Sequence, residues 1–189
     1  KGPDEEYWWA KLYSPIYQEP LLHYLTGMKV FNLRLPMIFS IPEKNWYYAH
    51  GEKKIIPFLS IIRDAMSGTR LEVWGDKNMK RDYVHMDNLL QMINLCLTTE
   101  LTAGIFNVGT GEAVTTEDFI RTVAEVFSPH GENCEIIYRP HNKTYKCTSY
   151  DISTEHDQLG YDPIYLREML IRLKDDIIKT NIFKKWDWK

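Results

Sequence analysis

Tyr7 and Lys11 stand four residues apart in a stretch, residues 7–26, whose Tyr, Trp and Leu content predicts a helix. On a helix that spacing puts both side chains on one face. An ammonium beside a phenol favours the phenolate, the condition for a tyrosine that gives and takes protons. Arg81 opens a strand that leaves the turn Gly75-Asp76-Lys77-Asn78, a position suited to meeting an anion. Arg139 stands at the end of another strand, read over 134–138. Gly109-Thr110-Gly111 has the outline of a phosphate loop. It lacks a third glycine, and its helix starts several residues later, so a tight turn is the better reading.

These residues need elements to position them. Pro15 and Pro20 interrupt the first helix, because each removes a backbone donor. Residues 30–35 alternate and read as a strand, ended by Pro36. Residues 36–54 read as a long loop rich in Trp46, Tyr47, Tyr48, His50 and Gly51. A helix over 55–66 puts Ile55, Phe58, Leu59, Ile62 and Met66 on one side and stops at Gly68. A strand at 71–74, the glycine turn and the Arg81 strand follow. Asp87 is expected as the N-cap of a helix carrying Leu89, Leu90, Met92, Ile93 and Leu95. A short strand at 105–108 precedes a helix from 115 or 116, with Glu117 and Asp118 in its first turn. Asp151, Ser153 and Thr154 offer caps for a short helix that stops at Gly160. The last helix turns Leu166, Met169, Leu170, Leu173 and Ile177 inward, and Trp186 and Trp188 mark the tail.

Composition narrows the classes. The chain has 189 residues, 44% of them hydrophobic and 13% aromatic, which is the make-up of a globular protein. A net charge of −3 gives no reason to expect nucleic acid or an anionic membrane as partner. No apolar run is long enough to span a bilayer. Cys96, Cys134 and Cys147 are odd in number and widely spaced, so they read as reduced thiols of a cytoplasmic protein. No histidine pairs with a Cys or carboxylate at ligand spacing, so no metal site is assigned. The opening Lys1-Gly2-Pro3 has no Met, and the chain reads as a piece of something larger.

Taken in order, these pieces resemble the C-terminal part of the extended short-chain dehydrogenase/reductase family, the NAD-dependent nucleotide-sugar epimerases and dehydratases. Tyr7-x-x-x-Lys11, Asn32-Leu33-Arg34-Leu35 and Ile55-Ile56-Pro57-Phe58 match in register. So do Glu72-Val73-Trp74-Gly75-Asp76 with Arg81-Asp82-Tyr83-Val84-His85-Met86-Asp87, then Phe106-Asn107-Val108-Gly109-Thr110-Gly111, Arg139-Pro140 and Leu159-Gly160-Tyr161-Asp162-Pro163. The resemblance implies an α/β fold: a remnant of a Rossmann-type parallel sheet with a small mixed α/β substrate-binding domain. Residues 1–36 would end the Rossmann domain, and 37–189 would form mostly the substrate domain, with 83–109 returning to the sheet.

The resemblance also implies a site. Tyr7 and Lys11 would be the catalytic pair and, with Pro36, would touch NAD or NADP. Arg81 and Arg139 would bind the diphosphate of a nucleoside-diphosphate sugar, as guanidinium forks fit phosphate oxygens. The family's glycine-rich dinucleotide loop has no counterpart in the sequence, so this piece alone is expected to bind NAD weakly and to be inactive. A homodimer or an N-terminal half would be its partner. The rival readings are an NADPH-dependent nucleotide-sugar reductase and a non-catalytic binding or assembly subunit of the same fold.

Overall fold

The computed structural model describes residues 21–142 and 149–188, so Tyr7, Lys11 and Cys147 lie outside the described residues. A helical stretch at 21–26 leads to β1 (Val30–Arg34), whose alternating apolar residues were expected in a strand. β1 pairs in parallel with β8 (Ala103–Asn107), Val30 opposite Ala103 and Arg34 opposite Asn107. Between them in sequence lies α2 (Met86–Thr98), which turns Met92 and Cys96 inward. Those two pack with Val84, Phe106, Val108 and Tyr161 into one buried cluster, flanked by Phe31 and Leu33 of β1.

A second and larger cluster gathers around β5 (Leu71–Trp74) and β10 (Ile136–Arg139), another parallel pair. Three helices feed it: α1 (Pro57–Met66), α3 (Thr116–Phe127) and α5 (Leu166–Thr180). Each presents an apolar stripe at helical spacing: Leu59, Ile62 and Ala65, then Phe119, Ile120, Val123, Val126 and Phe127, then Met169, Leu170, Leu173 and Ile177. Phe39 is the aromatic hub, with its ring centroid 5.2 Å from Tyr83, 5.7 Å from Phe119 and 5.0 Å from Phe58. Short strands complete the frame. β2 (Met37–Phe39) runs parallel to β7 (Tyr83–His85), and β6 (Lys80–Arg81) runs antiparallel to β9 (Val114–Thr115). The helix α4 (Ser153–Leu159) ends, as expected, at Gly160 in a left-handed conformation.

Three expectations are corrected. Residues 36–54 are not one long loop: they hold β2 and a hairpin of β3 (Trp46–Ala49) with β4 (Glu52–Ile55). The hairpin follows from local chemistry. Trp, Tyr and Tyr suit a pleated strand, and His50 (φ 53°) and Gly51 (φ 80°) supply the two positive φ angles of a type I′ turn. The next helix therefore starts at Pro57 and not at residue 55, because Ile55 is still paired with Trp46. Proline at the first helical position loses no hydrogen bond there. Asp87 is not the cap of α2. His85 is, its Nδ1 accepting the Asp87 amide at 3.2 Å, while the Asp87 carboxylate takes Arg172 Nη1 at 2.7 Å.

The tail docks on the body. Beyond α6 (Ile182–Lys185), Trp188 packs on Phe183, and the Arg63 guanidinium lies 5.0 Å over its ring.

Candidate functional site

Arg139, the last residue of β10, sits opposite Trp74 of β5. Its Nε and Nη2 both donate to Glu72 Oε1, at 3.2 and 3.0 Å, and the Trp74 indole N–H donates to Glu72 Oε2 at 2.7 Å. That indole, and then Arg139, hold the Glu72 carboxyl below its usual range. Glu72 thus fixes one side of the guanidinium fork, and among the described residues Nη1 has no hydrogen-bond partner.

The strand β5 ends in a turn that carries the chain to Arg81. Gly75 enters it at φ 71°, which a side chain would disfavour. The Gly75 amide donates to Arg139 O at 2.9 Å, and Asp76 Oδ1 accepts the Asn78 amide. At the far end Met79 O accepts both the Thr116 amide (2.9 Å) and its hydroxyl (3.1 Å), while Lys77 O accepts the Glu117 amide. One turn is therefore tied to Arg139 at its start and to the first turn of α3 at its end, just before Arg81. An open depression of about 450 Å³ lies against it, lined by Gly75, Asp76, Lys77, Tyr138 and Pro140.

Glu117 gathers charge beside this turn. Its Oε1 accepts the Tyr138 hydroxyl at 2.5 Å and Arg121 at 2.9 Å, and Lys77 lies 3.1 Å from Oε2. Tyr138 first, then Arg121 and Lys77, pull the Glu117 carboxyl down to about 2.

Arg81 is partly buried and pairs with Val114. Its neighbour Asp82 is 3% exposed and is spent on Thr110: the amide lies 3.0 Å from both carboxylate oxygens, and the hydroxyl donates to Oδ1 at 2.6 Å. Pro36 stands between the carboxyl end of β1 and the start of β2, beside the carboxyl end of β8, where the Val108 amide donates to Arg34 O at 2.9 Å. In parallel sheets ligands bind outside such ends. The structure thus ties Arg139 to the start of the turn and puts Arg81 just past its end, with neither of them lining the depression, and Pro36 directly precedes Met37, the partner of Tyr83 two residues beyond Arg81.

The Gly-x-Gly turn between these places is filled by the protein itself. A Cβ at Gly109 would lie 2.5 Å from Tyr150 Cβ and 2.6 Å from Asp82 Oδ2, and one at Gly111 would meet Ile152. Neither glycine faces open space. Two further buried groups hold this turn: Tyr161 donates its hydroxyl to Gly109 O at 3.0 Å, and Glu155 Oε1 accepts the Asn107 amide at 2.5 Å. The sequence reading assigned no role to Asp82, Thr110, Glu155 or Tyr161. The signal for Asp82 was present, an acid beside a site arginine in a run of β-formers, but its partner is 28 residues away. No group of three or more metal-binding side chains occurs among the described residues, and no helix among them is long and apolar enough to cross a membrane.

Residues 2–109 match the model of the NAD dependent epimerase/dehydratase family. The chain belongs to that family. Within it, this chain is similar to dTDP-glucose 4,6-dehydratase of Xanthomonas campestris pv. campestris strain B100, at 26% identity over 158 residues, 78% of this chain and 44% of the relative. It is similar to dTDP-4-dehydro-6-deoxyglucose reductase of Escherichia coli at 29% identity, over 64% of this chain and 36% of that one. In fold it is similar to UDP-glucose 4-epimerase of Thermotoga maritima, solved with UDP-glucose, with a TM-score of 0.67 and 20% identity over 93% of this chain and 52% of that one. The chain therefore spans about half, or less, of these relatives, and its fold is of the Rossmann type.

The family's cofactor is NAD. Among the described residues, the carboxyl edge of β1 and β8 is the kind of place where parallel sheets receive ligands. A pyrophosphate cradle is not formed there, because the one Gly-x-Gly turn is occupied by Asp82, Tyr150 and Ile152.

Proposed function

We propose that this chain carries the substrate-binding half of an epimerase or dehydratase acting on a nucleoside-diphosphate sugar, with Arg81 and Arg139 as ligands of the diphosphate. The observation that carries this reading is the Gly75–Met79 turn, anchored on Arg139 O and running into the Arg81 strand beside an open depression. Glu72 orients Arg139 and leaves Nη1 for a phosphate oxygen. Two guanidinium groups answer a doubly charged anion at fixed spacing better than lysines, whose ammonium lacks the planar fork.

Tyr7 takes the role of proton acceptor from a sugar hydroxyl, and Lys11 keeps that phenol acidic and holds the cofactor ribose. NAD, when bound, supplies the hydride acceptor, and Pro36 lines its site. Tight cofactor binding requires a glycine-rich half beyond these residues, so the piece alone turns over no substrate. The two buried clusters support the division assigned from sequence, with β1, α2 and β8 on the cofactor side and the rest of the chain from 37 onward mostly on the sugar side. A cytoplasmic setting and a partner, either a second copy or the N-terminal half, complete the reading. The similarity to a dTDP-sugar reductase favours one alternative, in which the same site holds the sugar for an NADPH-dependent reduction.

The test is a calorimetric titration of the 189-residue chain with UDP-glucose and dTDP-glucose. Binding of one of them is expected, weakened about tenfold by Arg81→Ala and by Arg139→Ala, since a charge-assisted contact contributes roughly 1.5–3 kcal/mol. Binding of neither, or binding indifferent to both substitutions, overturns the assignment.

A further inference from the structure

We propose that Asp82 and Thr110 form a positioning device that fixes Arg81 for the diphosphate and couples it mechanically to the carboxyl edge of the β1–β8 sheet. The inference rests on the diphosphate reading given above and goes beyond it by naming residues that touch no ligand.

Arg81 and Asp82 together are attached to the loop of residues 107–114 at two points. One is the backbone pairing of Arg81 with Val114. The other is the side chain of the next residue, Asp82, bonded three times to Thr110. The chain path Arg81–Asp82, the bonds to Thr110, the loop to Val114 and the pairing back to Arg81 make a closed ring. A shift of Arg81 along its strand breaks part of that ring.

The loop itself is held at each step. Glu155 takes the Asn107 amide, Arg34 O takes the Val108 amide, and Tyr161 donates to Gly109 O. The Thr110 hydroxyl oxygen also accepts the Glu112 amide at 3.2 Å. Asp82, Thr110, Glu155 and Tyr161 are all 5% exposed or less. The absent side chain of Gly109 belongs to the same device, since a Cβ there would lie 2.6 Å from Asp82 Oδ2.

Two carboxylates in a buried setting are expensive, and an apolar pair would hold a loop at lower cost. What the polar pair adds is direction. A carboxylate that accepts an amide and a hydroxyl from one residue tolerates one relative placement of the two strands. Through this bolt the end of β8, on the cofactor side, and the strand of Arg81, on the diphosphate side, move as one body.

The experiment measures inorganic pyrophosphate binding to the 189-residue chain by calorimetry, for the unaltered protein, Thr110→Val, Thr110→Ser, Arg81→Ala and the Thr110→Val/Arg81→Ala pair. Circular dichroism confirms that each is folded. Thr110→Val is expected to weaken binding about tenfold, Thr110→Ser by no more than about threefold, and Thr110→Val to add nothing once Arg81 is gone, the mark of residues acting through one contact. A tenfold loss that persists without Arg81 overturns the device, as does an unchanged affinity in Thr110→Val or an equal loss in Thr110→Ser. If Thr110→Val does not fold, Asp82→Asn takes its place, expected to lose affinity alone and to add nothing once Arg81 is gone; no loss alone, or a further loss in the pair, overturns the device. No pyrophosphate binding by the unaltered chain overturns the diphosphate reading itself, an outcome distinct from any of these.

Discussion

Tyr161 gives the sharpest prediction about how the centre of this fold is held. Its side chain is 0% exposed and its hydroxyl donates to Gly109 O at 3.0 Å. Tyr161→Phe keeps the ring in the Val84–Met92–Phe106 cluster and removes the donor alone. Loss of a buried hydrogen bond that strands its partner costs about 1–2 kcal/mol, which in a chain of this size is a fall in Tm of about 3–6 °C. A pH dependence follows from the same burial. Burial first, then the negative charges of Asp82 and Glu155, push the Tyr161 phenol above its ordinary value of 10.0. The unfolded chain then releases this proton near pH 10 while the folded chain keeps it. The contribution to stability is fully present below about pH 10 and is lost above it, at about 1.4 kcal/mol per pH unit. The phenylalanine variant has no such proton. Urea melts of both proteins at about pH 7, 9 and 11 are therefore expected to show a gap of about 1–2 kcal/mol at the two lower values and almost none at the highest. A gap that is absent at pH 7, or that keeps its size to pH 11, refutes the reasoning.

Glu117 reports on the acid side. Its carboxyl is held at about 2 in the folded chain, so its contribution is present above the ordinary carboxylate range and is lost as pH falls toward 2. Glu117→Gln is expected to flatten the acid limb of a thermal-melting profile between about pH 4.5 and 2, and an unchanged limb contradicts the cluster with Tyr138, Arg121 and Lys77. Gly109→Ala is expected to cost about 1–3 kcal/mol in a denaturant melt, because its methyl meets Tyr150 and Asp82 with no flexible end to give way. A neutral result there removes the close packing of the turn.

Much of this was legible from the sequence because it is local. Helical spacing gave the inward faces of α3 and α5 and, in α1, Leu59 and Ile62, whereas Met66, expected on the same side, is exposed and Ala65 is buried instead. Thr115 before Glu117 and Asp118 marked the start of α3, where its hydroxyl accepts the Asp118 amide at 3.0 Å. The glycine stop at Gly160 is a backbone preference readable at one position. The hairpin at 46–55 was missed because clustered aromatics look like loop or contact residues until His50-Gly51 is recognised as a turn with two positive φ angles. The cap of α2 was misplaced by two residues because aspartate is the commoner cap, whereas here the ring nitrogen of His85 takes that amide. The Asp82–Thr110 and Glu155–Asn107 contacts were out of reach, since they join residues 28 and 48 apart and depend on how strands register in space. Tyr7 and Lys11 lie outside the described residues, and their assignment rests on sequence alone.

The most direct measurement of the central claim is a heteronuclear NMR titration of the labelled 189-residue chain with UDP-glucose and dTDP-glucose, following every backbone amide and the arginine Nε–H signals. The account predicts that the binding sugar nucleotide shifts the amides of 75–81 and 139–140 together with the Nε–H signals of Arg81 and Arg139. Shifts confined to another surface, or none at saturating ligand, would contradict it.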